Sequence, residues 1–105
     1  MVNEELLKIV VKRLADNFHP QKIILFGSQA KGTADDRSDV DLLVICSIKG
    51  PRRGKMVAMD RSLRGLGLAR DIVLLTPEEF ERERLIQGNI ARPAWQEGKI
   101  LYESQ

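Results

Sequence analysis

The chain has 105 residues, 43% of them hydrophobic and 30% charged, and a formal net charge of +2 at pH 7. This predicts a single small domain, residues 1–105, with enough apolar material for a modest core. No apolar run approaches the ~20 residues of a membrane span, the N-terminus lacks the basic segment of a signal peptide, and the single cysteine excludes an internal disulfide. We therefore expect a cytoplasmic protein that does not enter the membrane.

The first predicted element is an amphipathic helix over residues 4–18. Its apolar residues recur at three- and four-residue steps: Leu7, Val10, Val11, Leu14 and Phe18. Asn3 is placed to cap its N-terminus, and Pro20 ends it because the residue before a proline is disfavoured in helical geometry. His19, the single histidine, is interpreted as a loop residue and not as a catalytic one.

Two short apolar runs, residues 23–26 and 42–45, predict buried strands because both are rich in branched side chains and lie between Gly, Ser or Asp residues. Asp39 and Asp41 stand at the start of the second run. Since side chains two apart on a strand point the same way, these carboxylates would share one face and repel each other. A pair of divalent metal ions relieves such repulsion in phosphoryl-transfer sites. The alternative is a polar turn closed by Asp39, with Asp41 on a solvated strand edge.

The turn after the first strand predicts phosphate binding. Gly27 lets a ligand approach the backbone closely, and the free N–H groups of a short helix beginning at about Ser28 would favour an anion. A tight turn capped by Ser28 is the structural alternative, and the two roles can coexist. A P-loop is excluded, because Gly32 is followed by Thr33 instead of the lysine that the motif requires.

Residues 47–54 predict an exposed loop, and residues 55–66 predict a helix. Four apolar residues of that helix would face inward: Met56, Met59, Leu63 and Leu66. Arg61 and Arg64 would then lie on its outer face, within a basic cluster that extends over residues 49–70. This cluster is either a solvated face or a contact surface for triphosphate, nucleic acid or an acidic partner. Nucleic acid is not the favoured partner.

Residues 71–75 predict a third strand, which opens on a carboxylate. A structural interpretation of Asp71 is a strand-initiating residue paired with Arg70 or Lys22. The helix that follows, to about residue 86, would begin with a capping box built from Thr76, Pro77 and Glu79.

Two elements complete the predicted order. A further short helical segment is expected over residues 88–96, and a last strand over residues 99–102. The alternation of helices and strands predicts an α/β (α+β) fold, a small sandwich in which helices cover one face of the sheet.

Gly27-Ser28, ten intervening residues and Asp39-Val40-Asp41 form a pattern that resembles the nucleotidyltransferase superfamily typified by DNA polymerase beta. In particular, it is similar to the MNT family of minimal nucleotidyltransferases. The usual sequence motif of that family is also matched at Ala30, Gly32, Ser38 and Leu42. Lys31 replaces the arginine that is more common there but retains its positive charge. The resemblance covers nearly the whole chain and implies a nucleotidyltransferase-like fold with a small mixed β-sheet.

The same resemblance implies transfer of AMP from ATP to a hydroxyl. Asp39 and Asp41 would ligate two Mg²⁺ ions, for which Mn²⁺ could substitute. Asp71 would complete the metal triad as the third acidic residue on a neighbouring strand, and could take the hydroxyl proton. Gly27 and Ser28 would hold the β- and γ-phosphates, assisted by Lys31 (the remaining member of the expected site).

The resemblance also implies a partner. MNT proteins pair as antitoxins with HEPN-domain toxins and silence them by adding AMP to a tyrosine, so we expect a hetero-oligomer with a HEPN toxin in which this chain binds the nucleoside triphosphate. Two alternatives stay open. One is a non-catalytic antitoxin or regulatory subunit, and the other is a stand-alone enzyme that modifies a small molecule such as an aminoglycoside.

Overall fold

The helices and strands that the structure describes follow one another in the predicted order. The computed structural model describes residues 4–27, 39–86 and 96–104. In these ranges the elements are α1 (Glu4–Phe18), β1 (Lys22–Phe26), β2 (Val40–Ile45), α2 (Arg52–Ser62), β3 (Arg70–Leu75), α3 (Pro77–Glu83) and β4 (Lys99–Glu103). None of the helices in these ranges is long and apolar enough to cross a membrane.

The four described strands form one mixed sheet in the order β3-β2-β1-β4. Strand β1 pairs antiparallel with both β2 and β4, whereas β2 and β3 run parallel. The mixed sheet expected from the sequence is therefore confirmed. Because β2 lies between β1 and β3, the residues at its N-terminal end are placed between the C-terminal end of β1 and the N-terminal end of β3.

The main core lies between one face of the sheet and the two longer helices. Val10 and Leu14 of α1 and Met59 of α2 have no solvent exposure. They pack against residues of β1, β2 and β3 that include Ile23, Leu25, Val40, Leu42, Val44, Ile72 and Leu74. Burying one such aliphatic side chain contributes roughly 1.5–3 kcal/mol to folding, so this layer fixes the positions of β1, β2 and β3.

A second, smaller core lies on the opposite face of the sheet. Its buried members are Ile24, Leu43, Ile45, Leu75 and Phe80. Phe80 belongs to α3, so helices contact both faces and not only the one face expected from the sequence. The side chains of β2 alternate between the two cores, which explains why this strand reads as a continuous apolar run.

Helix α2 begins at Arg52 and ends at Ser62, whereas the sequence predicted residues 55–66. Its start follows Pro51, whose extended backbone serves as the N-cap position. Its end precedes Gly65, which has a positive φ of 84°. Arg13 of α1 donates from Nη1 to the carbonyl oxygens of Ser62 and Arg64, at 3.2 and 3.0 Å. A cation at this end of α2 satisfies carbonyls that the helix leaves unpaired.

The capping box predicted at the start of α3 is present. The Thr76 hydroxyl accepts from the Glu79 backbone N–H at 3.1 Å, and the Glu79 carboxylate accepts from the Thr76 backbone N–H at 2.9 Å. The same carboxylate pairs with Arg52, whose Nη2 lies 2.7 and 2.6 Å from its two oxygens. Arg52 also donates to the Leu74 carbonyl at 3.0 Å. One arginine thus joins the start of α2 to β3 and α3.

Glu79→Gln is expected to weaken the fold through charge alone, because Gln can still complete a capping box. The Arg52 hydrogen bond, followed by that of the Thr76 backbone, lowers the pKa of Glu79 from 4.5 to about 2. Since the folded-state pKa is the lower one, the stabilisation is present above pH 4.5 and is lost as the pH falls towards 2. We expect the variant to lose about 1 kcal/mol of unfolding free energy at neutral pH, a modest value because Arg52 is partly exposed.

Denaturant unfolding across this acid range measures the effect. The wild type should lose stability more steeply than Glu79→Gln as the pH falls. Glu78→Gln, an exposed position in the same turn of α3, is the control and should follow the wild type. Parallel acid profiles for the wild type and Glu79→Gln would contradict the assignment.

Three predicted local features fall outside the described residues. They are the Asn3 cap, the short helix beginning at about Ser28, and most of the helical segment expected over residues 88–96. The final strand predicted over 99–102 is present as β4, one residue longer.

Candidate active site

Asp41 and Asp71 are direct neighbours in the sheet. Asp41 is the second residue of β2 and is in register with Asp71, the second residue of β3, in the parallel pair. On its other side Asp41 is in register with Phe26, the last residue of β1. Neighbouring strands lie about 4.8 Å apart, so the register places the two carboxylate-bearing residues side by side.

Asp39 lies directly before β2 and is exposed. Val40 between the two aspartates is 1% exposed and belongs to the main core. The alternation expected from the sequence is therefore present, with Val40 buried and its acidic neighbours not. Asp39, Asp41 and Asp71, named here the carboxylate set, gather at one end of the two parallel strands.

The carboxylate set is electrostatically strained at Asp41. Burial of this half-buried side chain raises the pKa of Asp41 above its usual 3.8, and the nearby charges of Asp71 and Asp39 raise it further. Both causes disfavour the ionised carboxylate. A cation bound between these groups would reverse this effect, as expected at a site that is built for a positively charged ligand.

The basic residues that could have neutralised Asp71 are bound elsewhere. Arg70 donates from Nε to Asp60 at 3.0 Å and from Nη2 to the Asp60 carbonyl at 2.7 Å. Lys22 lies 3.8 Å from a carboxylate oxygen of Glu103. A structural role for Asp71 as the ion-pair partner of Arg70 or Lys22 is therefore not observed. Within the described ranges, no lysine or arginine forms an ion pair with any member of the carboxylate set.

Gly27 brings the backbone after β1 against the Asp41 carboxylate. Its φ of +74° favours glycine. A Cβ atom at this position would stand 3.3 Å from Cγ of Asp41 and closer still to Oδ2. Any larger residue would therefore have to displace the carboxylate. Gly27 is required for two independent reasons, backbone conformation and close approach.

The donors in the carboxylate set fit a divalent cation. Mg²⁺ prefers oxygen ligands and is commonly held by one or two carboxylates together with substrate phosphates. Among the described residues, no three Asp, Glu, His or Cys side chains form a complete metal-binding group. The carboxylate set therefore does not by itself form a three-ligand metal site in this structure.

Two predicted site residues, Ser28 and Lys31, lie outside the described residues. Their expected roles in phosphate binding rest on the sequence pattern. The structure brings Gly27 together with Asp41, and Asp41 together with Asp71.

An open groove of about 530 Å³ borders the carboxylate set on the side of α2 and β3. It is lined by Arg53, Met56, Val57, Asp60, Arg61, Arg64, Arg70, Asp71 and Ile72. The sequence indicated the basic cluster to which its four arginines belong, but not that the cluster extends to Asp71. That proximity follows from the packing of α2 beside β3, which no local pattern encodes.

A second groove, of about 500 Å³, lies between α1 and β4. Its lining includes the apolar residues Leu7, Val11, Leu101 and Tyr102 and no member of the carboxylate set. Tyr102 is partly buried and packs against the main core. This groove is therefore not part of the candidate active site.

Comparison with known proteins gives a consistent result. A family model described as a nucleotidyltransferase domain matches residues 5–102. The chain is similar to the crystal structure of a candidate nucleotidyltransferase from Sulfolobus solfataricus, with 24% identity, a TM-score of 0.65, and coverage of 95% of this chain and 82% of that one. It is also similar to the crystal structure of a toxin–antitoxin with AMP-PNP, with 25% identity, a TM-score of 0.70, and coverage of 94% and 74%. No curated protein matches it.

The matched region contains every residue of the carboxylate set and both glycine-turn residues, Gly27 and Ser28. It spans β1, β2, β3 and all of β4 except its last residue. Motif, mixed sheet and family model agree over almost the full length of the sequence. The chain belongs to the nucleotidyltransferase domain family.

Proposed function

We propose that this protein is an antitoxin that transfers AMP from Mg-ATP to the hydroxyl of a tyrosine in a partner HEPN toxin. The observation that carries the proposal is the position of Asp41, held between Gly27 and Asp71 with its pKa raised by burial and by like charges. A site of this kind favours a cation and, through it, a polyphosphate. The family match supports the reaction class.

In this proposal Asp39 and Asp41 would hold Mg²⁺ together with the triphosphate. The acceptor would approach Asp71, which would hold a second ion. When bound, the two ions supply positive charge against the attacking oxygen and the departing pyrophosphate. The exposure of Asp71 suits this division, because the acceptor has to reach it from outside. Gly27 lets the nucleotide come close to the protein backbone at the turn, where Ser28 is proposed to donate to phosphate oxygens.

The transfer balances as a single displacement. The acceptor hydroxyl oxygen forms a bond to the α-phosphorus of ATP, while the bond from that phosphorus to the bridging oxygen of the β-phosphate breaks. Pyrophosphate leaves with the electron pair, and the hydroxyl proton passes to Asp71 and from there to solvent. The product is a phosphodiester between AMP and the acceptor.

The similarity to a toxin–antitoxin structure with AMP-PNP supports a nucleotide-binding antitoxin with a toxin partner. The identity of that partner as a HEPN protein, and tyrosine as the acceptor, rest on the resemblance to the MNT family, which the Gly27-Ser28 to Asp39-Val40-Asp41 pattern carries. A hydroxyl on another protein also suits the groove beside Asp71, which is open to the surface.

Intact-mass analysis of the partner tests the proposal. The chain is co-expressed with its toxin, and the toxin's mass is measured before and after incubation with Mg-ATP. We expect an increase of one or more AMP units with the wild type and none with Asp39→Asn. Asp16→Asn, an exposed position on α1 away from the carboxylate set, is the control and should modify the toxin like the wild type. A toxin that is inhibited without any mass change would instead establish a non-catalytic antitoxin.

A further inference from the structure

The groove between α2 and β3 is strongly basic along one side. Arg53, Arg61 and Arg64 line it and are all exposed. Within the described residues none of these three guanidinium groups has a carboxylate partner. By contrast, the fourth arginine, Arg70, is held by Asp60, and its side chain is only 12% exposed. Three guanidinium groups therefore remain available to an anionic ligand.

The floor of the same groove is apolar. Met56 and Ile72 line it, together with Val57, which is 43% exposed. Met and Arg are both enriched in protein–protein interfaces, where an apolar centre is surrounded by a polar rim. Among the residues that the structure describes, no aromatic side chain lines the groove. Single-stranded nucleic acids are usually held by bases stacked on aromatic side chains, so the groove composition favours a polypeptide.

Asp71 is the member of the carboxylate set that lines this groove, and it is exposed. A ligand in the groove would therefore extend to the acceptor side of the site, opposite the turn at Gly27. Arginine suits carboxylate recognition because its planar group can donate two parallel hydrogen bonds to one carboxylate.

We propose that the groove formed by Arg53, Arg61 and Arg64 above Met56, Val57 and Ile72 binds an acidic, partly apolar polypeptide segment of the acceptor protein. The segment carries, or directly adjoins, the hydroxyl whose proton Asp71 accepts. This inference rests on the proposed function because it takes the bound polypeptide to be the acceptor of AMP. The binding itself requires neither nucleotide nor metal. It assigns Arg53, Arg61 and Arg64 to acceptor recognition and not to a solvated face.

The test measures binding without ATP or metal. A fluorescein-labelled random copolymer of Glu and Tyr serves as the anionic polypeptide, and anisotropy gives its Kd. We expect Arg61→Glu/Arg64→Glu to raise the Kd by at least ~10-fold, since each lost pair is charge-assisted and each new carboxylate repels the ligand. The wild-type Kd should also rise with salt. Lys49→Glu/Arg82→Glu, two exposed positions outside the groove, changes net charge equally and should bind within about twofold of the wild type.

Two results would overturn the proposal. Equal weakening by both double variants would mean that only overall charge matters. Tighter wild-type binding of a single-stranded adenylate 20-mer than of the copolymer would make the groove a nucleic-acid site. Arg61→Gln/Arg64→Gln, which adds no new charge, is expected to weaken copolymer binding less than the Glu variant, and its circular dichroism checks the fold.

Asp39→Asn separates this inference from the proposed function. It should bind the copolymer like the wild type, because Asp39 does not line the groove. Copolymer binding that depends on the groove, with no AMP transfer to the toxin by the wild type, would refute the proposed function alone. AMP transfer that is unaffected by Arg61→Glu/Arg64→Glu, with unchanged copolymer binding, would refute the groove assignment alone.

Discussion

Asp41→Asn should reduce AMP transfer by at least about 100-fold, the size of effect expected when a preorganised charged group is removed from a reaction centre. Asp41 is the central member of the carboxylate set, in register with Asp71 and against Gly27. Its amide replacement has nearly the same shape but loses the charge that would hold a cation. Steady-state rates with the partner toxin and Mg-ATP give the comparison.

The same variant should be at least as stable as the wild type in metal-free solution at neutral pH. The pKa of Asp41 is raised in the folded protein, so its contribution to stability is present below the usual value of 3.8 and is lost as the pH rises through the folded-state pKa. Asparagine does not ionise, so the variant does not lose this stability as the pH rises. Thermal melts in EDTA measure it, and an inactive variant that also melts at a lower temperature would indicate a structural role for Asp41 instead. Such a trade between stability and activity is common at functional sites.

Gly27→Ala has the second-largest expected effect, because it acts on conformation and on the site together. The alanine would adopt a positive φ, which disfavours side chains by about 1–2 kcal/mol. Its Cβ would also displace the Asp41 carboxylate. We expect lower stability and a loss of transfer of at least about tenfold, since small displacements of a catalytic group have large effects on rate.

Gly67→Ala separates the two causes. Gly67 has a φ of +64°, close to that of Gly27, but no atom lies within 4 Å of its would-be Cβ. This control should be destabilised by a similar conformational amount and should keep its activity. Equal losses of transfer in the two variants, measured at a temperature where both are folded, would show that contact between residue 27 and Asp41 is unimportant.

The sequence predicted the local features of the site well, because these depend on short spacings. Val40 is buried and its two acidic neighbours are not, as period-two alternation requires. The capping box at Thr76 and Glu79 is present for the same reason: each partner is within one turn of the other. Gly27 at a strand end was recognised as a close-approach position, although its contact with Asp41 could not be.

Contacts between residues that are distant in the sequence could not be predicted from short sequence patterns. Asp71 reaches Asp41 only because β3 joins β2 in parallel with one particular register, which depends on how α2 crosses between them. Arg70 is the immediate neighbour of Asp71 in sequence but pairs with Asp60 on α2. The earlier start of α2, at Arg52, likewise reflects tertiary bonds to Leu74 and Glu79 that override the Pro- and Gly-rich composition of the preceding loop.

The central claim is that the carboxylate set holds divalent cations together with a nucleotide. A crystal of the chain grown with Mn²⁺ and AMP-PNP, measured for anomalous scattering, tests it most directly. We expect manganese peaks coordinated by oxygens of Asp39 and Asp41, with Asp71 as a further ligand and the triphosphate beside Gly27. Bound nucleotide with no manganese at these three aspartates, or manganese held by other residues, would contradict the account.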